Sequence, residues 1–277
     1  MQTILYILLI AIAAGFIGAL LGLGGAIIIT PALTLLFGID IQYAIGASII
    51  SVIATSSGAA IAYLKDGLTN IRIGMLLELG TTVGAIAGAY LSGLIHPKFL
   101  YIVFGILMLY SAVMMLKKLR AGHDAPAVPH PLAEKLQLCD AYYDKSIDQN
   151  VPYKVAGVYG GLGMMVLAGT LSGLLGIGSG TFKVLGMDLF MKLPMKVSTA
   201  TSNFMIGVTA AASAGVYFFR GDIDPHIAAP VALGVLLGAT VGTRVMQVLK
   251  SGAVRLIFVP VLAIVSIQMI VKGVMFR

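Results

Sequence analysis

The sequence has no tryptophan, a single cysteine at position 139, and only 10% charged residues. One cysteine excludes an intramolecular disulfide, a Cys-pair metal site and a dithiol relay. So few charges cannot clothe a soluble globule, whose charged share averages about 25%. Without tryptophan, tyrosine must supply any aromatic belt at a membrane surface. Acidic residues are scarce as well, 11 Asp+Glu against 18 Lys+Arg. The basic excess needs no nucleic-acid partner, because in a chain of mean hydropathy +1.01 the placement of the charges matters more than their sum. Met1-Gln2-Thr3 carries no basic n-region, so the first apolar run reads as a retained span rather than a cleaved signal peptide. What is present is apolar: 59% hydrophobic residues and 34 glycines, the composition of a polytopic membrane protein whose surroundings are the lipid bilayer.

Apolar runs fall at 3–37, 43–64, 71–95, 99–117, 155–191, 197–219, 227–249 and 254–273. Most match the roughly 20 residues needed to cross the hydrocarbon layer. The runs 3–37 and 155–191 are too long for one straight helix, and each holds a glycine cluster, Gly22-Leu23-Gly24-Gly25 and Gly176-Ile177-Gly178-Ser179-Gly180. Each therefore reads as a helix, an unwound turn and a half-helix, about 26–37 and 180–191. The expected fold is all-α, with about eight transmembrane helices in two homologous four-span repeats. The first helix of each repeat is broken at its glycine-rich turn.

Residues 120–153 form the polar linker, with Pro126, Pro129, Pro131 and Pro152. It divides a first transmembrane repeat, 1–119, from a second, 154–277. Its last stretch suits a short surface helix, and nothing in it resembles a folded domain. If each broken segment crosses once, the N-terminus, the 65–72 loop, the linker and the C-terminus share a face. Lys65, Arg72, Lys117, Lys118, Arg120, Lys135, Lys145, Lys154, Arg220, Lys272 and Arg277 lie on that face, against Lys98, Lys192, Lys196, Lys250 and Arg255 on the other. The positive-inside bias then puts both termini in the cytoplasm of a multi-pass cell-membrane (plasma or inner-membrane) protein. A half-helix that turns back reverses the parity of every later loop. Residues 26–37 reach only about 18 Å at 1.5 Å per residue, so that alternative stays open.

Shifted by 154 residues, the sequence overlays itself without a gap. Gly22 meets Gly176, Gly24 meets Gly178, Gly67 meets Gly221, Gly80 meets Gly234, Gly84 meets Gly238 and Gly88 meets Gly242. Ser48, Thr55 and Tyr63 meet Ser202, Thr209 and Tyr217. Repeated halves are a signature of secondary transporters, whose site lies near the midplane between them. Four spans per half make the repeats parallel; re-entrant half-helices make them inverted.

Gly80, Gly84 and Gly88, like their partners in the second half, share a helix face and read as close helix packing, the broken helices being the expected partners. The breaks carry more chemistry. Unpaired backbone groups in lipid cost several kcal/mol each unless protein or water satisfies them. Two half-helix starts aimed at a gap make an anion site, against the plainer alternative of kinked helices tied to their neighbours. Ser48 and Ser202, with Asn203 beside the latter, are candidate donors to oxyanion oxygens among Ser/Thr residues that elsewhere serve packing. Lys183 opposes its own helix dipole, which points to an anion; Arg244 is a second cation that equally fits snorkelling. Glu78 and Asp188 are candidate proton carriers, although Asp188 could pair with Lys192 and Glu78 lies near a span end. The four histidines fall in loops or at span ends, so no catalytic pair, metal-ligand cluster or cofactor is implied and an enzyme is not expected.

The run Gly15-Phe16-Ile17-Gly18-Ala19-Leu20-Leu21-Gly22-Leu23-Gly24-Gly25 resembles the repeat opening of the TauE/SafE family of sulfite exporters. Pro31, Gly46-Ala47-Ser48, Gly58-Ala59, Gly67, Gly84 and Gly88 continue the pattern, and Leu171 to Gly178 through Gly221 and Gly242 echo it. The resemblance implies a permease or exporter of small sulfur-containing anions such as sulfite, sulfoacetate or other organosulfonates. Its binding region would fall at Gly22, Gly24, Gly25 and Ser48, and at Gly176, Gly178 and Ser202. The sequence departs where the family usually shows a third glycine and a proline; it has Ser179-Gly180 and Lys183-Val184-Leu185. The full expected site therefore adds Ser179, Gly180, Lys183, Asn203 and Arg244. An anion channel and a non-transporting scaffold or accessory subunit stand as alternatives, and a homo-oligomer is left open.

Overall fold

The apolar runs fold into helices that satisfy their own backbone polar groups, as lipid requires. A computed structural model describes residues 2–21, 24–120, 130–144, 148–176, 178–248 and 251–275. The first half holds α1 (Gln2–Leu21), α2 (Ala26–Leu36), α3 (Ile41–Lys65), α4 (Ile71–Leu94) and α5 (Pro97–Arg120). The linker carries α6 (Pro131–Lys135), β1 (Asp140–Asp144) and β2 (Gln149–Tyr153). The second half holds α7 (Val158–Leu175), α8 (Gly180–Leu185) running into a π-helical stretch (Gly186–Phe190), α9 (Met195–Arg220), α10 (Pro225–Val248) and α11 (Ser251–Met275). Among the described residues, α3, α4, α7, α9 and the 225–245 part of α10 are long and apolar enough to cross a membrane. The 154-residue offset returns in the element bounds: 26–36 against 180–190, and 71–94 against 225–248.

Both breaks use left-handed backbone, Gly24 and Gly25 at φ 77° and 71°, Gly178 and Ser179 at φ 68° and 48°. Gly22 lies outside the described residues. After each break the chain doubles back. The Ala156 N–H donates to the Met191 carbonyl at 3.1 Å, so the start of α7 and the end of the π stretch are neighbours. On the other hairpin, a β-carbon at Gly18 of α1 would lie 2.1 Å from the Gly25 nitrogen. Each half-helix therefore lies beside the helix it follows. The returning chain packs along the helix it came from.

Gly46 approaches the Asp222 carbonyl while Ser56 donates to the Asn203 carbonyl at 2.5 Å, so α3 and α9 are antiparallel. Lys196 pairs with Asp144 of the linker at 2.6 Å, so it lies on the linker's face and not opposite it. Lys272 of α11 donates to the Thr34 carbonyl and lies over the Tyr101 ring, at the end of α5 remote from the linker. The C-terminal end of α11 and the linker therefore occupy opposite ends of the bundle, which corrects their assignment to one face.

The halves interlock. α1 packs mainly on α10 and α4 on α7, with α3–α9 and α5–α11 contacts completing the bundle. A β-carbon at Gly84 would lie 2.4 Å from the Val166 carbonyl, and one at Gly238 2.0 Å from the Ile12 carbonyl. Only glycine lets these backbones approach so closely, and the glycine-faced helices do pack on the broken ones.

The linker is more structured than its composition suggested. The helix falls at 131–135, and β1 and β2 pair antiparallel with Asp140 opposite Tyr153. Tyr142 and Tyr153 turn inward against the bundle, which supplies the apolar surface that two strands lack alone. Burial, reinforced by the Asp144 carboxylate, pushes the Tyr142 hydroxyl up to about 12, so it remains a neutral donor to Asp144. Asn70 fastens the hairpin by donating to the Leu138 carbonyl at 3.0 Å and the Tyr153 hydroxyl at 2.9 Å.

Candidate functional site

The ends of α1 and α7 leave carbonyls that a continuous helix would have satisfied. Two matched tyrosines answer them. Tyr63 donates to the Ala19 carbonyl at 3.0 Å and Tyr217 to the Gly173 carbonyl at 2.5 Å, positions again 154 apart. Both tyrosines are fully buried. Asn203 adds a second donor to Ala19 at 3.2 Å and also reaches the Thr199 carbonyl.

The breaks meet near the centre of the α3–α9 crossing. A β-carbon at Gly24 would lie 2.9 Å from Ile206 Cδ1 and 3.2 Å from Val52 Cγ1; one at Gly178 would lie 2.9 Å from the same Val52 methyl. Gly176 faces Ile45 and Ile49, and Gly25 faces the Ala14 carbonyl and Thr55. Apolar side chains thus close the crossing, and polar groups surround that closure. Ser48 shares a 2.6 Å hydrogen bond with Thr30, and Ser202 donates to the Gly180 carbonyl at 3.3 Å. Ser179 Oγ and Asn203 Oδ1 are buried without a hydrogen-bond partner.

Lys183 is 0% exposed, on the half-helix one turn past Ser179. Its ammonium reaches Glu78 Oε2 of α4 at 3.4 Å and donates to Thr209 of α9. Thr209 passes a hydrogen bond to Glu78 Oε1 at 2.5 Å, and Thr82 donates to the same oxygen at 3.2 Å. Thr81 stands 3.3 Å from Thr209. Charges from two halves therefore share one buried cluster. Asp188 is also buried, in the π stretch, and makes contacts of its own. Arg244 is exposed near the end of α10 and is not brought to this cluster.

Sequence reasoning missed Thr30, Thr81 and Thr82 as partners. The only cue for Thr81 and Thr82 was their position one turn beyond Glu78. It recorded Tyr63 and Tyr217 as a matched pair without assigning their hydrogen bonds, although a tyrosine kept at the same repeat position is the signal that could have done so.

A mostly helical chain with apolar spans has the make-up of an integral membrane protein, and its family and relatives put it among the membrane transporters. Within that class, the chain belongs to the family described as Sulfite exporter TauE/SafE, which matches residues 7–269. It is 28% identical over 278 residues to the Probable membrane transporter protein YunE of Bacillus subtilis, covering 97% of each chain. It is 30% identical over 245 residues to the Probable membrane transporter protein YdhB of the same organism, covering 88% of this chain and 89% of that one. A Methanocaldococcus jannaschii relative, Probable membrane transporter protein MJ0441, is 23% identical over 283 residues, with 95% and 94% covered. No solved structure matches the chain.

Proposed function

We propose that the protein is a secondary transporter of small sulfur-containing anions, sulfite or organosulfonates, bound at the midplane between its two halves. The observation that carries this reading is Lys183, a wholly buried cation on a broken helix, one turn from the unpaired Ser179 hydroxyl. Intramembrane cations are costly and mark substrate paths. A hydroxyl and an ammonium suit an oxyanion, and the family description supports sulfite as the type of cargo. Val52 and Ile206 close the crossing, so this is an occluded conformation. Alternating access parts them on one face and then the other.

The proposed membrane arrangement has six crossing helices, α3–α5 and α9–α11, and two re-entrant hairpins, with inverted halves. Its support is the doubled-back chain together with the basic residues. Lys65, Arg72, Lys117, Lys135, Lys154, Lys192, Lys196 and Arg244 then fall toward the linker face, against Lys98, Arg220 and Lys272 on the other. By the positive-inside bias the linker face is cytoplasmic and both termini lie outside. Reporter fusions at each terminus test this, and cytoplasmic activity at either one overturns it.

Function is tested with purified protein in liposomes, offered sulfite, sulfoacetate and methanesulfonate beside chloride and sulfate. Saturable flux of the sulfur anions is expected, and Lys183→Ala is expected to lower it at least about tenfold, the loss of a charge-assisted contact worth roughly 1.5–3 kcal/mol. Unchanged affinity and rate in that variant removes Lys183 from the site. Absence of flux for every anion favours a scaffold.

A further inference from the structure

Glu78 sits on α4 of the first half, yet its contacts reach across to the second. Lys183 reaches one of its oxygens, and Thr209 and Thr82 donate to the other. The other ionisable groups on the packed elements are accounted for elsewhere. Arg72 of α4 bonds Gln137, and Tyr90 of α4 and Tyr159 of α7 are exposed. On α9, Lys196 pairs with Asp144, Tyr217 bonds Gly173 and Arg220 pairs with Asp222. Asp188, beyond Lys183 in the π stretch, has contacts of its own. Lys183 is thus the cation in contact with Glu78, and the pair is neutral in the empty protein.

That neutrality constrains transport. A monovalent anion that docks on Lys183 beside an ionised Glu78 leaves one uncompensated negative charge in a low-dielectric interior, a strongly unfavourable state. One proton on Glu78 removes it. We propose that anion and proton travel together: the anion displaces the Glu78 carboxylate from Lys183, and that carboxylate takes one proton from a hydronium ion on the open face, which is left as water. The new bond is O–H on Glu78, no electrons move, and the hydroxyls of Thr209 and Thr82 can bond either form of the acid. Release of the anion on the other face returns the proton to water and restores the Lys183–Glu78 pair. The outcome is symport of one proton per monovalent anion. This rests on the transport reading above and adds its stoichiometry and its coupling residue.

The test uses the full chain in liposomes with a trapped pH dye, voltage held at zero by potassium and valinomycin. The probe is methanesulfonate, whose charge does not change near neutral pH. Lumen acidification matching methanesulfonate entry one for one is expected, and an imposed difference of one pH unit should concentrate the anion about tenfold. Glu78→Gln keeps the side-chain shape and should carry methanesulfonate downhill with no proton movement and no pH-driven accumulation. Should that variant fail to fold, the wild-type ratio and accumulation decide alone. Methanesulfonate flux without protons, or tenfold accumulation by Glu78→Gln, overturns the coupling while leaving transport intact. Failure to move methanesulfonate or any other anion overturns the transport reading and the coupling with it.

Discussion

At matched positions the two broken hairpins carry opposite chemistry. The second presents Lys183 to Glu78 and Thr209. Shifting back by 154 residues puts Ile29 in place of Lys183, Thr55 in place of Thr209, Thr34 in place of Asp188, and aligns Glu78 and Thr81 with Ala232 and Val235. Ile29 and Val235 lie in one buried apolar cluster with Ala14, Leu33 and Ala44. Thr34 spends its hydroxyl on the Thr30 carbonyl at 2.9 Å. The backbone devices are shared: the left-handed turns, the tyrosine bonds and the glycine interlocks. The charge is not. Among the described residues, the second hairpin brings a buried cation to a carboxylate of the first half, while the matched positions of the first hairpin are apolar or carry hydroxyls.

The largest effect should come from unbalancing that pair of charges. Glu78→Ala strands a buried ammonium and is expected to lower stability by about 3–5 kcal/mol, read as thermal unfolding in detergent. Glu78→Leu combined with Lys183→Met should recover most of the stability and none of the transport. A Glu78→Ala protein as stable as wild type would mean the two charges do not depend on each other, and the contrast between the halves would collapse.

Symmetric features should respond symmetrically. Gly84→Ala and Gly238→Ala each push a methyl into the matched carbonyls of Val166 and Ile12. Each is expected to cost about 1–3 kcal/mol, by an equal amount in the two halves. A large inequality would show that one interlock, and not both, holds the frame.

How much of this was readable in advance depends on what each residue answers to. The glycine register, the broken helices and the buried Lys183 show in composition and spacing, because each violates what a plain lipid-spanning helix needs. The doubling back does not: Ala156 meets Met191 only in three dimensions, and a glycine break marks where a helix stops and not which way the chain then runs. The partner of Lys183 was equally hidden, since Glu78 stands 105 residues away in the other half. The linker hairpin escaped because its inward tyrosines gain their apolar face from the bundle and not from local sequence.

The matched tyrosines allow a finer test. Tyr217→Phe leaves the Gly173 carbonyl without its 2.5 Å donor and should cost about 1 kcal/mol. Tyr63→Phe should cost less, because Asn203 still donates to Ala19. Denaturant or thermal unfolding of the two variants measures the gap. An equal loss would mean the Asn203 bond does not support the first break, and the halves would be more alike than their hydrogen bonds imply.

The smallest expected change is a gain. Ser179 holds φ 48°, a conformation that glycine adopts freely and that its counterpart Gly25 adopts at 71°. Its hydroxyl is buried and unpaired, so it gives nothing back to the fold for that strain. Ser179→Gly should therefore raise stability by about 0.5–1 kcal/mol. If the hydroxyl binds the anion, the same variant must raise the KM for methanesulfonate while its melting temperature rises. A variant both more stable and equally good at transport would move Ser179 out of the site and leave Lys183 as the group that sets the second hairpin apart from the first.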